Sequence, residues 1–291
     1  MKPKFLAFLR LARPRQWVKN GFVLAPLFFT PEAVTWVNIA RGTVAVVVFC
    51  LIASAIYVFN DWCDADADRL HPAKSSRPIA SGDVAPGTAL LWAVLLLAMG
   101  AALSLVVLPM PASAIAAGYV AMSMLYSARL KHVAVLDVLI VATGFVLRVE
   151  FGGAAVGISL TVWIVVCTFL LALFLALAKR RDDLVKALGD THRPALAGYN
   201  LRFVDTAVGV VLAALLVSYL IYTADAGAIE KFHTDKLYLT APFVAAGVLR
   251  YLQIALVEQR SGSPTDLALT DPFLILAFVG WLAMFGWLLY G

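Results

Sequence analysis

The sequence predicts an all-α polytopic membrane protein, and two observations support this prediction. Of the 291 residues, 62% are hydrophobic and only 14% are charged, and the mean hydropathy is +0.89. Apolar runs close to the roughly 20 residues that an α-helix needs to cross a bilayer recur along the chain. Together these runs predict about nine transmembrane helices in a single domain that covers residues 1–291.

Each predicted span is an apolar run bounded by charged or turn-forming residues, and a basic segment precedes the first. Residues 1–19 interleave Lys and Arg with Phe and Leu, which is typical of a segment lying at the membrane surface. The spans are predicted at residues 17–30, 36–59, 88–108, 111–127, 136–152, 160–178, 204–222, 237–258 and 272–290.

The loops between the spans alternate in charge. The N-terminal segment and the loops after the second, fourth, sixth and eighth spans hold most of the Lys and Arg residues. Cytoplasmic loops of membrane proteins carry this excess. We therefore expect a multi-pass protein of the cell membrane, with the N-terminus and these loops in the cytoplasm and the C-terminus outside. The net charge of +5 is explained by topology, and no nucleic-acid partner is expected.

The polar stretch from Asn60 to Gly82 separates the second and third spans and points most directly to chemistry. Asp61, Asp64 and Asp68 recur at spacings of three and four residues, so on a helix they share one face with Asn60. Stacked like charges repel, and such a face is stable only against a cation. Mg²⁺ is typically held by one or two carboxylates together with substrate phosphates. We predict that these four residues bind Mg²⁺, with Mn²⁺ as the alternative, and that the three aspartates act in catalysis.

Basic side chains follow these acids closely. Lys74 and Arg77 come within a few residues of Asp68, and we predict that both bind phosphate. Lys74 would act as a single point charge and Arg77 through two parallel N–H donors. The alternative is a solvated loop whose acids face water. A random loop would rarely place its acids on one helical stripe after an apolar run.

Further charged clusters stand at the ends of later spans on the same predicted side. The bases that end the sixth span precede an acid pair, which favours a second metal or phosphate site over a helix that merely ends in anchoring bases. The remaining predicted residues are Lys19, Tyr126, Lys131, Lys179, Arg180 and Arg181 for substrate, and Asp182 and Asp183 for metal.

For three ionisable residues of the fifth span we expect structural roles. Asp137 stands at the start of this span, where we expect it to hold Arg129 or Lys131. Arg148 and Glu150 fall near its other end, and we expect them to pair with each other or with a neighbour.

These motifs resemble those of a known family. The pattern NDxxDxxxD from Asn60 to Asp68, followed by Arg77-Pro78 and Ser81-Gly82, resembles the first acidic motif of the UbiA superfamily of intramembrane prenyltransferases. The pattern YSxxLK from Tyr126 to Lys131 is similar to that family's next signature. The resemblance implies nine helices around a central cavity, with two acid-rich cytoplasmic caps that hold Mg²⁺ and a diphosphate.

The second acidic motif departs from the family's usual DxxxD, because Lys186 stands four residues after Asp182. The segments KRRDDL at 179–184, RPRQWVKN at 13–20 and APL at 25–27 are instead similar to one branch of the superfamily. That branch transfers 5-phosphoribose from phosphoribosyl diphosphate to decaprenyl phosphate or another polyprenyl phosphate, for arabinan synthesis in the cell wall. The resemblance implies these two substrates as partners, in a monomer or a homo-oligomer.

Two alternatives remain open. An enzyme of the same fold that moves a prenyl group from a prenyl diphosphate to an aromatic or glyceryl-phosphate acceptor differs in its donor. A transporter would place ionisable groups near mid-membrane, whereas most acids here cluster at one predicted face. If the protein transfers phosphoribose, the 5-phosphate of the donor needs cations of its own. Arg180→Ala or Arg181→Ala is then expected to raise the KM for phosphoribosyl diphosphate about 10-fold or more.

Overall fold

The computed structural model describes residues 4–70, 74–187, 198–258, 267 and 270–290. Within these ranges the regular secondary structure is entirely helical, and no β-strand occurs. Seven of the described helices are long and apolar enough to cross a membrane. They are Trp36–Cys63, Pro86–Val107, Leu136–Val156, Val162–Val185, Leu201–Thr223, Leu237–Val257 and Pro272–Leu289. The all-α polytopic prediction is confirmed, whereas the count of nine is not.

The two remaining predicted spans have distinct outcomes. Residues 17–30 do not form one long helix, because a 3₁₀ helix (Pro14–Leu24) gives way to the short α2 (Ala25–Phe28). Prolines at the start of both segments favour short helices over a continuous one. The span predicted at 111–127 is a helix, Met110–Ala128, but its serines and tyrosines make it less apolar than the seven.

The chain divides into two compact units, of which the first comprises residues 1–131 and 144–160. Its helices are α1 (Lys4–Ala12), α2, α3 (Trp36–Cys63), α4 (Ala65–Leu70), α5 (Pro86–Val107), α6 (Met110–Ala128) and most of α7 (Leu136–Val156).

Small residues bring α5 close to α3. Ala89, Ala93 and Gly100 recur at helical spacing and are buried. A Cβ added at Gly100 would lie 3.0 Å from Cγ1 of Ile52 on α3. In a membrane this close approach gives van der Waals packing that larger side chains would prevent.

The 3₁₀ helix lies against α7 in the same unit. A Cβ added at Gly152 would collide with the carbonyl oxygen of Val23. Only a residue without a side chain leaves this backbone room for close contact. Phe151 beside it packs its ring 5.3 Å from that of Phe49 on α3, between ring centroids.

The second unit comprises residues 132–143 and 161–291. Its helices are the start of α7, α8 (Val162–Ala187), α9 (Leu201–Thr223), α10 (Ala226–Phe232), α11 (Ala241–Leu252), a π-helical turn (Gln253–Val257) and α12 (Pro272–Tyr290). Its core includes Phe174 of α8 and Tyr251 of α11, whose ring centroids lie 4.6 Å apart. Asn200 begins α9 by accepting the Phe203 N–H at 2.8 Å.

An ion pair precedes α12. Arg250 donates from two nitrogens to the two carboxylate oxygens of Asp271, at 3.2 and 2.7 Å. Asp271 also accepts the backbone N–H groups of Phe273 and Leu274, each at 3.1 Å. The hydrogen bonds from Arg250 are the main reason that the pKa of Asp271 lies below its usual value.

Candidate active site

The predicted acid stripe stands where the first long membrane helix gives way to a short one. α3 ends at Cys63, Asp64 has φ −94° and ψ 1°, and α4 begins at Ala65. The helical hydrogen-bond spacing continues across this junction. The Asp64 N–H donates to the Asn60 carbonyl at 3.0 Å, and the Asp68 N–H donates to the Asp64 carbonyl at 2.8 Å.

Asp61 and Asp68 form one half of the stripe, with only 3% and 2% of their surface exposed. Nη1 of Arg77 donates to Oδ1 of Asp61 at 2.9 Å and to Oδ2 of Asp68 at 2.6 Å. Arg13 donates to the same oxygen of Asp61, and Nζ of Lys74 lies 3.8 Å from Oδ1 of Asp68. Three cations therefore compensate two desolvated carboxylates, which would be costly to bury alone.

Asn60 and Asp64 form the other half. Nζ of Lys131 donates to Asp64 and lies 3.5 Å from Oδ1 of Asn60. The Asn60 amide donates to Oδ2 of Asp64 at 3.1 Å. The structure thus brings the predicted Lys131 to the acid stripe from the end of α6. Asp66 faces away, with 95% of its side chain exposed, and pairs with Arg69.

The stripe offers carboxylate oxygens that suit a hard metal ion, but it does not supply a complete set of protein ligands. In the part of the chain that the structure describes, no three acidic, histidine or cysteine side chains could hold a metal ion together. Asp61 and Asp68 nevertheless converge on one cationic nitrogen of Arg77. Mg²⁺ is usually bound through one or two carboxylates plus substrate phosphates. These residues therefore fit a Mg²⁺ ion that takes part of its coordination from a substrate.

Arg13 reaches the site through an unusual turn and was not among the predicted ligands. It separates α1 from the 3₁₀ helix and has a left-handed backbone, with φ 51°. The Ser54 hydroxyl fixes this turn by donating to the Ala12 carbonyl at 2.9 Å and accepting the Trp17 indole N–H at 3.0 Å. Arg13 lies 48 residues before Asp61, so no local spacing signals their contact.

Of the two expected kinds of partner for Arg148, the structure has neighbouring residues and not Glu150. Residues two apart on a helix point to different sides, and Arg148 is buried with 5% of its surface exposed. It donates to Asn20 Oδ1 at 3.1 Å, the Gly144 carbonyl at 2.8 Å and the Tyr119 hydroxyl at 3.0 Å. Three aromatic rings, with centroids 5.0 to 5.1 Å from the guanidinium carbon, surround it. They belong to Phe49, Tyr119 and Phe145.

In the second unit, Asp137 holds a different base from those expected. It is fully buried, and Oδ2 accepts from Nε of Arg180 at 2.7 Å. Tyr199 donates its hydroxyl to Oδ1 at 2.6 Å and accepts the Val135 N–H at 2.6 Å. Burial, followed by this hydrogen bond to Asp137, raises the pKa of Tyr199, so the phenol stays protonated and able to donate. The expectation that Asp137 holds Arg129 or Lys131 is wrong.

At the end of α8, the predicted arginines pair with carboxylates. Nη1 of Arg180 donates to Asp183 at 3.1 Å. Nε of Arg181 donates to Asp205 of α9 at 2.7 Å. Asp182 is buried, and Lys179 is exposed. Tyr126 and Lys19 belong to the first unit, where both are half-buried.

Comparison with known proteins gives the chain a family context. The model of the UbiA prenyltransferase family matches residues 21–270. A protein of Corynebacterium glutamicum named decaprenyl-phosphate phosphoribosyltransferase is 36% identical, with 96% of this chain and 86% of that protein covered. A protein of the same name from Mycolicibacterium smegmatis is also 36% identical, with 97% and 92% covered.

Solved structures support the fold. A UbiA homologue from Archaeoglobus fulgidus, bound to GPP and Mg²⁺, matches with a TM-score of 0.71 at 22% identity. The match covers 96% of this chain and 98% of that one. An apo UbiA homologue from Aeropyrum pernix matches with a TM-score of 0.61 at 16% identity, with 98% and 100% covered.

Proposed function

The chain belongs to the UbiA prenyltransferase family, and on that basis we propose that it transfers 5-phosphoribose from phosphoribosyl diphosphate to a polyprenyl phosphate such as decaprenyl phosphate. The observation that carries this proposal is the similarity, over most of both chains, to relatives named for that reaction. Four bases around the three acids of the stripe support it. This donor brings both a diphosphate and a separate 5-phosphate, so it requires many cationic contacts.

We assign the donor's diphosphate to the acid stripe. Asp61 and Asp68 would hold Mg²⁺, which when bound supplies positive charge to the leaving diphosphate. Arg77, Lys74 and Lys131 pair with the acids in this structure. In the complex these bases would instead bind phosphate oxygens. Arg77 would donate through two parallel N–H groups, and the lysines would act as point charges.

The chemistry that remains depends on positioning. The acceptor phosphate is already anionic at neutral pH, so no base has to remove a proton from it. One of its oxygens forms a bond to ribose C1 while the bond from C1 to the diphosphate breaks, and the bonding electrons leave with the diphosphate. Attack opposite the leaving group inverts C1 from α to β. Holding the two anions at the right distance is the main task of the protein.

We place this reaction at the cytoplasmic face of the cell membrane, with the N-terminus on that side, because of the excess of bases in alternate loops. Cysteines introduced one at a time at Lys186 and Lys231, after removal of the native cysteines, test the orientation. In intact cells an impermeant thiol reagent should label Lys231→Cys and spare Lys186→Cys. The reverse pattern would overturn the orientation.

Product analysis with purified protein tests the reaction. We expect phosphoribosyl diphosphate and polyprenyl phosphate to give a phosphoribosylated lipid of the corresponding mass. The second candidate is prenyl transfer, favoured by a 30% identical stretch of a digeranylgeranylglyceryl phosphate synthase that covers 52% of this chain. Consumption of geranylgeranyl diphosphate with an aromatic or glyceryl-phosphate acceptor, and none of phosphoribosyl diphosphate, would establish that candidate instead.

A further inference from the structure

Tyr57 extends the acid stripe one helical turn further into the membrane span. It precedes Asp61 by four residues on α3, so the two side chains project on the same side of the helix. Tyr57 is half-buried. Its hydroxyl makes no hydrogen bond to any residue in the described ranges. A phenol in such a place usually finds a polar partner, so this hydroxyl is available to a ligand.

Two cations act on this side chain. The guanidinium carbon of Arg13 stands 5.3 Å from the centroid of the Tyr57 ring. Arg148 interacts electrostatically with the same phenol. Arg13 is balanced by Asp61, whereas Arg148 donates to neutral oxygens and forms no salt bridge with a described residue. The surroundings of the hydroxyl are therefore electropositive and partly shielded from water, conditions that favour an anion.

We propose that the Tyr57 hydroxyl donates a hydrogen bond to a phosphate oxygen of the lipid acceptor. The inference rests on the proposed function and adds an acceptor site to it. The metal-binding acids and their bases stand at the end of α3, where a water-soluble donor would bring its diphosphate. The acceptor carries an apolar chain, so its phosphate is expected on the bilayer side of that donor, and Tyr57 is the side chain one turn in that direction. The phenol keeps its proton and no bond to it changes.

A phenol hydroxyl suits this task better than another charged base. The acceptor phosphate must remain nucleophilic, and a full ion pair would hold its electrons more tightly than a neutral donor does. A neutral donor can still orient one oxygen, while Arg13 and Arg148 supply positive potential without direct contact. Tyr57 is thus a substrate-binding residue.

Tyr57→Phe tests the proposal because it removes one oxygen and keeps the ring. Tyr222→Phe is the matched control. Tyr222 also lies in a membrane helix, α9, and its hydroxyl likewise makes no hydrogen bond within the described part of the chain. Its ring packs against Tyr219 and Phe232, at 5.9 and 6.4 Å between centroids, and no cation of the described ranges stands over it.

Two measurements are made on each variant. The first is direct binding of farnesyl phosphate, a short lipid phosphate, with farnesol as the ligand that lacks the phosphate. Tyr57→Phe should raise the dissociation constant of farnesyl phosphate about 10-fold, the effect of losing a hydrogen bond to a charged group, and leave farnesol unchanged. The second is turnover. The KM for polyprenyl phosphate should rise by a similar factor, while the KM for phosphoribosyl diphosphate changes less than about 2-fold.

Several results would overturn the proposal. These are an unchanged affinity for farnesyl phosphate, an equal loss in Tyr222→Phe, or a shift confined to phosphoribosyl diphosphate, which would assign the hydroxyl to the donor. Failure of the proposed function would look different. Wild-type protein would then ignore phosphoribosyl diphosphate in turnover, whereas the comparison of farnesyl phosphate with farnesol would still report on Tyr57.

Discussion

The acid stripe of the first unit and the base cluster at the end of α8 balance their charges in different ways. In the stripe, Arg77 and Arg13 share one oxygen of Asp61, and Arg77 also reaches Asp68. At the end of α8, Arg180 has both Asp137 and Asp183, while Arg181 has Asp205. Asp61 and Asp68 therefore have two bases each in the first cluster, whereas Asp137 and Asp205 each have one base among the described residues in the second.

Because of this difference, the acids of the stripe can exchange their ion-pair partners at a lower free-energy cost than the acids at the end of α8. A base can leave an acid that has two bases when another cation replaces it, because the carboxylate keeps its second base as compensation. Asp137 is fully buried and depends on Arg180 and the Tyr199 hydroxyl. Withdrawing Arg180 would leave an uncompensated buried charge. We infer that the stripe is built to bind and release ligands and that the α8 cluster fixes the helix ends.

The largest expected effect is on the stripe. Asp68→Asn should lower the turnover rate at least about 10²-fold, because it removes a carboxylate charge that we propose holds the metal and, through it, the diphosphate. Chelation with EDTA should abolish turnover of the wild type. Asp66→Asn is the matched control and should stay within about 2-fold, since Asp66 faces water. Full activity of Asp68→Asn in excess EDTA would exclude a metal site at the stripe.

The α8 cluster should instead respond in stability. Arg180→Ala should lower the free energy of unfolding by about 3 kcal/mol or more, because it strips the buried Asp137 of its cation. Thermal unfolding in detergent measures this. Arg202→Ala, an exposed position on α9, is the control and should change little. If Arg180 binds the 5-phosphate, as the sequence predicts, the variant would raise the KM for phosphoribosyl diphosphate about 10-fold without this loss.

Arg77→Gln sharpens the idea of a shared base. The variant should raise the KM for phosphoribosyl diphosphate about 10-fold, from the loss of a charge-assisted contact, while stability falls less than in Arg180→Ala. Asp61 keeps Arg13 and Asp68 keeps Lys74 in this variant. Arg69→Gln serves as control because its partner Asp66 is exposed. A stability loss as large as that of Arg180→Ala would show that the stripe is as rigidly paired as the α8 cluster.

The smallest effect concerns the ion pair between Arg250 and Asp271, which lies far from either cluster in sequence. The pKa of Asp271 is lowered in the folded protein, so its stabilising contribution is complete at neutral pH and disappears as the pH falls through the carboxyl range, around 4. Asp271→Asn should therefore cost about 1 kcal/mol at pH 7 and progressively less below pH 5. Unfolding midpoints measured at several pH values test this, and a difference that does not change with pH would contradict it.

The sequence predicted what depends on local spacing. Apolar runs revealed the long helices, and the spacings of three and four residues between Asp61, Asp64 and Asp68 predicted that they share one face where α3 gives way to α4. The prediction failed for residues 17–30, where Pro26 interrupts the apolar run at the change from the 3₁₀ helix to α2.

Contacts between distant segments were not readable in the same way. Arg13 meets Asp61 across 48 residues, Tyr199 meets Asp137 across 62, and Asn20 meets Arg148 across 128. Nothing in the composition around these residues indicates which partner each will have. Buried polar groups seek partners wherever the fold supplies them, and only the packing of helices decides which are in reach.

The contact of the 3₁₀ helix with α7 has a consequence for the order in which the site assembles during synthesis. Asp61 and Arg13 leave the ribosome early, but the groups that hold the 3₁₀ helix, Arg148 and Gly152, are about half a chain later. Domains generally fold as their residues become available during synthesis. A nascent chain that stops before α7 therefore carries the complete acid stripe. It lacks the part of α7 that packs against the 3₁₀ helix, the segment that follows Arg13. Biogenesis of the site ends with the insertion of α7, long after its acids have reached the membrane.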